Sequence, residues 1–444
     1  MSHRNLLLLL ATALVSYACY VRAEQNPYAR YLAAGFSIID RWSLEDVPDQ
    51  QLFNAAMDGM VGVLNQFGDE HSDFISSDRQ AAFSEDYRQE FGGVGLRLWI
   101  LGDPPLPTVV GLPDLGTPAA DAGVQLGDRL QAVDGVSTAD RTLEEVTELV
   151  RGPTGTEVTL TLLAPDGART RDVTIERAVI TVKSVLGDVR GPDGRWNYLI
   201  SDNPRIGYLR IIKFGDKTAA ELAETLDAIS ADGGPLDGLI IDVRDNAGGA
   251  LDAAVKISDL FLRAGQTIVT TRGRDPEAIR ERYMATGAGD DKLPLAVIID
   301  RNTASASEIV AASLQDHGRA AVVGERSYGK GTVQRLMHVE SGRSLLKLTT
   351  ATYWRPSGQN IHRMPSAAAD EQWGVSPDPE LAVPMTDEEY RAWRLFRIRR
   401  DLIGDDIDSE LAHALDLANG GVPAEFVDRP LGAALEHLKL GAGR

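Results

Sequence analysis

Past residue 25 the apolar positions fall into three textures. From about Asn26 to Glu90 they recur at helical spacing: Leu52, Ala56, Met60, Val61 and Leu64 follow Pro48-Asp49, a pair suited to a helix start. From about Phe91 to Val179 short β-prone runs broken by glycine take over, among them Gly92-Gly93-Val94-Gly95-Leu96 and Val158-Thr159-Leu160-Thr161-Leu162. One helix is expected among them, Leu143 to Val150, with Thr142 as N-cap and Glu145 in the third position of a capping box. A small, partly open β-barrel fits that stretch.

Beyond about Ile180 strands and helices alternate. Strands are expected at Ile206–Ile212, Leu239–Val243, Leu295–Asp300 and Ala320–Gly324, with helices at Thr218–Ile229, Ala250–Leu262 and Ala306–Gln315 between them. Such alternation implies a largely parallel sheet with helices packed outside it, and functional residues collecting at the carboxyl ends of its strands. A capping box, Thr386-Asp387-Glu388-Glu389, opens a closing helical segment. The organisation predicted is multi-domain α/β. It comprises a leader (1–23), a helical N-terminal region (24–90), the barrel (91–179), an α/β core (180–385) and a helical C-terminal segment (386–444).

Charge removes several functions. Lys+Arg 45 against Asp+Glu 65 gives a net charge of −20, which repels phosphate backbones, so nucleic acid is not an expected partner. Cys19 is the only cysteine, which excludes an intrachain disulfide and a cysteine-built metal cluster. It lies in the apolar run Leu6 to Val21, preceded by His3 and Arg4 and followed by Val21-Arg22-Ala23, the layout of a secretory signal. The run is about 16 residues, shorter than the roughly 18–20 of a comfortable membrane span, which favours cleavage after Ala23 over retention as an anchor through residues 6–21. Acylation of Cys19 after Ser16-Tyr17-Ala18 is the third alternative. An exported protein follows, periplasmic or anchored facing that side.

Candidate chemistry lies in the α/β part. The strand Leu295–Asp300 runs into Arg301-Asn302-Thr303-Ala304-Ser305-Ala306-Ser307-Glu308 and straight into a helix, where a hydroxyl meets free amides and the positive end of the helix dipole. That suits a nucleophile; Ser305 with Glu308 three residues on is equally an ordinary capping box, and Thr303 and Ser307 compete with Ser305. None of the seven histidines sits in a catalytic motif. Lys330, between Gly329 and Gly331, can act as a general base if its surroundings lower its pKa, with Gln334 holding the ammonium in line. Gly324, Gly329 and Lys330 also have phosphate-loop spacing, but Gly331 stands where a magnesium-binding hydroxyl is required and Val333-Gln334-Arg335-Leu336 looks like a strand, which argues against nucleotide. A third glycine site, Asp242 to Ala250, joins a strand to a helix; its amides could complete an oxyanion hole with that of Ala306, or glycine could simply serve the turn.

Taken together these segments resemble the carboxy-terminal processing, or tail-specific, proteases. The matching blocks are a PDZ-like Gly92–Leu163, the Asp242–Gly249 turn, Thr303–Glu308 with Gln315-Asp316, and Gly324-Glu325 through Gln334. Leu348–Ala351 to Pro356–Gly358 and Gly374–Pro379 extend them. The resemblance implies a cofactor-free serine endopeptidase without a metal, with Ser305 as nucleophile, Lys330 as base, Gln334 orienting it, and the amides of Gly248 and Ala306 as oxyanion hole. It also implies that the amides of Val94, Gly95 and Leu96 receive the terminal carboxylate of an apolar protein tail that adds as a strand. Thr303 stands where serine is usual in the family, and Ala247 where proline is usual, which predicts a looser turn before Gly248. The rival expectation is a noncatalytic PDZ adaptor on a degenerate protease fold. The arginines 391, 394, 397, 399 and 400 read as a solvated helix face, with a membrane-facing role second.

Overall fold

A computed structural model describes residues 12–14, 26–111, 113–114, 116–191, 194–275, 279–287, 289, 292–364, 366–368, 371–402 and 426–442. Apart from residues 12–14, the leader with Cys19 lies outside them, as does His413. The chain divides into two units, residues 1–76 with 336–348, and residues 77–335 with 349–444.

In the first unit helix α1 (Pro27–Trp42) is capped by the Asn26 side chain, which accepts from Tyr28 N. Helix α2 (Asp49–Gln66) starts behind Pro48, as its spacing foretold. Strand β1 (Asp73–Ile75) pairs antiparallel with Leu345–Lys347, and Phe74 meets Phe53 edge-on at 5.7 Å.

The second unit opens with α3 (Ser77–Arg88) and holds two cores. Strands β2 (Glu90–Gly93), β3 (Leu98–Leu101), β4 (Leu106–Val109) and β5 (Arg129–Val133) lead to helix α4 (Leu143–Val150), after which come β6 (Glu157–Leu163), β7 (Thr170–Glu176) and β8 (Ala178–Thr181). Strands β3-β4-β5-β6-β7 form an open antiparallel sheet, and among the described residues β2 pairs only with β8. Alternation in β6 points Val158, Leu160 and Leu162 inward against Val146 and Val150 of α4. The Thr142–Glu145 capping box forms with both bonds in place.

The larger core is built on four parallel strands, β9 (Arg205–Ile211), β10 (Gly238–Asp242), β13 (Leu295–Ile299) and β14 (Ala321–Gly324), side by side in chain order. Helices α5 (Thr218–Ala231), α6 (Leu251–Phe261) and α7 (Ala306–Asp316) connect them. Strands added one after another in one direction by right-handed crossovers put every connecting helix on the same face. Accordingly Leu209, Ile211, Leu239, Ile241, Val297, Ile299 and Val322 share a core with those helices. The alternate residues Ile206, Tyr208, Ile240, Ala296, Ile298 and Val323 face the other way, against Ala434 and Leu438 of the last helix, α9 (Arg429–Ala442). Between α6 and β13 the chain makes an antiparallel pair, β11 (Thr267–Arg272) and β12 (Ile279–Met284), joined by the hairpin β15 (Thr332–Val339) and β16 (Ser344–Trp354).

The arginine stripe is corrected by helix α8 (Asp387–Leu402). Arg391 and Arg394 are exposed, but Arg397 is 4% exposed and pairs with Asp188 and Asp401, while Arg400 reaches the same Asp188. A helix with a single arginine stripe thus carries one exposed pair and one buried anchor.

Candidate active site

Two buried carboxylates organise the carboxyl ends of the parallel strands. Asp300, at the end of β13, accepts from the amides of Asp245 (3.0 Å), Asn302 (3.0 Å) and Thr303 (2.9 Å), tying the turn after β10 to the turn after β13. Burial lifts its carboxyl to about 6 against those bonds. Glu308, in the first turn of α7, is fully enclosed and accepts four bonds. Its Oε2 takes the amides of Ser305 and Lys330, both at 2.8 Å; its Oε1 takes the Gly329 amide at 2.7 Å and the Ser327 hydroxyl at 2.5 Å. Burial lifts this carboxyl to about 7, and the four bonds oppose the rise.

These bonds separate the three competing hydroxyls. Thr303 Oγ1 donates to Val243 O and accepts from Asp300 N, and Ser307 Oγ donates to Asn246 O; both residues are 0% exposed. They are spent on holding the turns together. Ser305 is 7% exposed and sits at φ 56, ψ −116, a left-handed conformation that costs an L-residue about 1–3 kcal/mol and is tolerated only where the surroundings over-determine it. The Glu308 half of the expected capping box is what imposes it here, together with Asn246 O, which accepts from Ala304 N at 2.9 Å.

Gly248 lies against this turn. A Cβ built there would stand 2.7 Å from Ala304 O, 2.8 Å from Ser305 Cβ and 2.9 Å from Ala306 N, at φ +97, so only glycine fits. Gly248 therefore lies beside the Ala306 amide. The Gly248 amide itself, however, donates to Asn246 Oδ1 at 2.8 Å. An oxyanion reaches it in this conformation only by sharing it with, or displacing, that side chain. Asn246 also ties this turn down beside Ala247: its Nδ2 donates to Ile211 O and its backbone carbonyl accepts from Ala304 N and Ser307 Oγ.

Lys330 sits in a loop that closes onto a second segment. A Cβ on Gly331 would lie 2.1 Å from His362 N, and one on Gly329 would lie 2.7 Å from Arg363 Cβ and 2.9 Å from Trp373. The two glycines therefore let residues 360–363 and Trp373 press on the lysine's backbone. Burial keeps the His362 ring below its ordinary pKa, and its place beside this loop had no signal in the sequence. Gln334, on β15, gives its Nε2 to Thr332 Oγ1 (2.9 Å) and Thr349 Oγ1 (3.2 Å), which leaves Oε1 as the end able to accept from an ammonium group. Among the described residues no bond joins Gln334 to Lys330.

The smaller β domain has its own groove of about 120 Å³. Val94, Gly95 and Leu96 form its lip, and Leu98, Leu143, Thr147 and Val150 its apolar wall. Among the described residues the amides of Val94, Gly95 and Leu96 have no backbone acceptor, while Val94 O holds Ala119 N at 2.9 Å.

Comparison with known proteins places these features in a family. Residues 205–381 match the model of peptidase family S41, and residues 109–163 that of the PDZ domain. The chain is 36% identical over 376 residues to a carboxy-terminal-processing protease of Bartonella bacilliformis, covering 83% of this chain and 79% of that protein. It is 34% identical over 349 residues to a probable CtpA-like serine protease of Staphylococcus haemolyticus, covering 77% of this chain and 64% of that protein. Among solved structures, a photosystem II D1 C-terminal processing protease is 26% identical, with 87% of this chain and 99% of that chain covered and a TM-score of 0.43. On the sequence similarities, the chain belongs to the carboxy-terminal-processing serine proteases of peptidase family S41 and carries their PDZ domain.

Proposed function

We propose that this peptidase cleaves proteins bearing accessible apolar C-terminal tails, with Ser305 as nucleophile and Lys330 as its general base. Neutral Lys330 takes the Ser305 hydroxyl proton as Oγ attacks the substrate carbonyl, returns it to the leaving amine, and then activates the water that resolves the acyl-enzyme. The Ala306 amide, first of α7, and the Gly248 amide stabilise the tetrahedral oxyanion, the latter after exchange with Asn246. Gln334 Oε1 orients the lysine ammonium. No cofactor or metal enters the scheme.

One observation carries this reading. Ser305 and Lys330, far apart in sequence, give their backbone amides to the same oxygen of Glu308, while the competing hydroxyls of Thr303 and Ser307 are consumed by backbone bonds. The strained Ser305 backbone adds weight, since such conformations concentrate at functional sites. In the PDZ groove, Val94, Gly95 and Leu96 receive the tail carboxylate and the apolar wall its last side chain. The leader of residues 1–23 takes the protein to the periplasm or an equivalent extracytoplasmic space, either freed by cleavage or held at the membrane through residues 6–21.

The test is cleavage of an unfolded reporter with an apolar tail by the chain lacking residues 1–23. Ser305→Ala and Lys330→Ala, each folded, are expected to lose at least ~10³-fold in kcat/KM, the order seen when a member of a catalytic unit is removed. Full activity in either variant refutes that residue's role. Tail binding without cleavage by the parent would return the adaptor reading.

A further inference from the structure

The Glu308 carboxylate has more to do than cap a helix. Its four acceptor positions meet four donors, three backbone amides and one hydroxyl, so every lone pair is used. Ser327 Oγ accepts from Val375 N at 2.7 Å and turns its proton to Glu308, the orientation that suits the anion. Protonating Glu308 while these bonds stand would bring a fifth hydrogen into the shell, and relieving it costs the bond from Ser327. The four bonds favour the anion and burial favours the acid, and burial prevails enough to lift the carboxyl to about 7.

We propose that Glu308, as the carboxylate, is the positioning residue of the peptidase reaction, setting the register between the Ser305 turn and the Lys330 loop by holding both backbones on one oxygen. This rests on the Ser305/Lys330 reading above. Glu308 does not touch substrate. Losing its charge leaves both catalytic side chains present but frees the loop that carries the base, and displacement of about 1 Å at such a site costs on the order of 10²-fold in rate. The carboxyl titrates at about 7, so the ordered frame is lost as pH falls through neutrality. The loop bound to Glu308 carries Arg326 and Lys330, the segment packed on that loop carries His362 and Arg363, and the nucleophile turn is held at its foot by Asp300.

The experiment measures kcat and KM for tail-bearing reporter cleavage between pH 5 and 10, with melting temperature and PDZ-peptide binding as folding controls. The parent is expected to show an acid limb as Glu308 gains its charge. Glu308→Gln is expected to keep KM and peptide affinity, lose about 10²-fold in kcat, and show a shallower acid limb. Ser327→Ala removes one donor without touching the dyad; it is expected to move the acid limb to higher pH while leaving the alkaline plateau in place. That second variant decides the matter if Glu308→Gln does not fold. A folded Glu308→Gln with the parent's kcat and acid limb overturns the proposal, as does an unmoved limb in Ser327→Ala. Failure of the underlying reading is separate: it shows as cleavage that persists in Ser305→Ala, whatever Glu308 does.

Discussion

At the scale of single residues, the site stores charge where burial opposes it. Asp300 is lifted to about 6 and Glu308 to about 7, both chiefly by desolvation. A carboxyl raised in the folded state binds its proton more tightly there than in the unfolded chain. Its contribution to stability is therefore present below the ordinary carboxylate range and is lost as pH rises through the raised value. Unfolding free energy is expected to decline between about pH 4 and 7, by on the order of 3 kcal/mol for each group over its own interval. Denaturant titrations of the parent, Asp300→Asn and Glu308→Gln across that range check it; a parent-like slope in both variants refutes it. Stability thus falls over the interval in which the proposed catalytic frame assembles. The sequence displayed Ser305 and Glu308 at capping-box spacing but could not say what else Glu308 binds, because Ser327, Gly329 and Lys330 reach it only through the fold. Nor could it reveal that Gly248 N is held by Asn246, a bond between near neighbours that depends on one rotamer.

At the scale of elements, apolar period decided what could be read. β9, β10, β13 and β14 are buried on both faces and appear as short apolar runs, and the helices between them begin and end within two residues of expectation. The β11–β12 pair escaped notice because Thr-Ile-Val-Thr-Thr-Arg and Ile-Arg-Glu-Arg-Tyr-Met carry too many polar residues to stand out from a loop. Helix α8 shows the same limit from the other side. Five arginines at helical spacing look solvated, yet Arg397 and Arg400 converge on Asp188, far away in sequence. Breaking a buried ion pair from one side leaves a desolvated charge, at a cost of about 3–5 kcal/mol. Asp188→Ala is expected to destabilise the fold by about 3 kcal/mol, and Arg391→Ala, on the exposed side of the helix, by less than about 0.5 kcal/mol. Urea midpoints at constant slope measure both, and equal effects would return α8 to a solvated role.

At the scale of the molecule, strand order explains how the last described helix comes to pack beside the turn at the carboxyl end of β10. Four parallel strands laid down in one direction leave their second face bare, since all the crossover helices lie on the first. Ala434 at 0% and Leu438 at 2% exposure fill that face against Ile206, Tyr208, Ile240, Ala296, Ile298 and Val323. Just before the same helix, Asp428 pairs at 2.8 Å with Arg244, which is held from the other side by Asp242 and stacks 4.6 Å over Trp393. Arg244 opens the turn that carries Asn246 and Gly248, so the end of the chain reaches the candidate oxyanion hole through two residues. Leu438→Ala is expected to cost about 3 kcal/mol, within the range for a buried leucine, with activity per folded molecule retained. Asp428→Ala should instead leave Arg244 short of one carboxylate and lower kcat more than it lowers stability, because the turn and not the sheet face is disturbed. Melting curves with reporter cleavage on the two variants separate these effects; a Leu438→Ala protein that is fully folded yet inactive would mean that α9 acts on the site through the sheet itself.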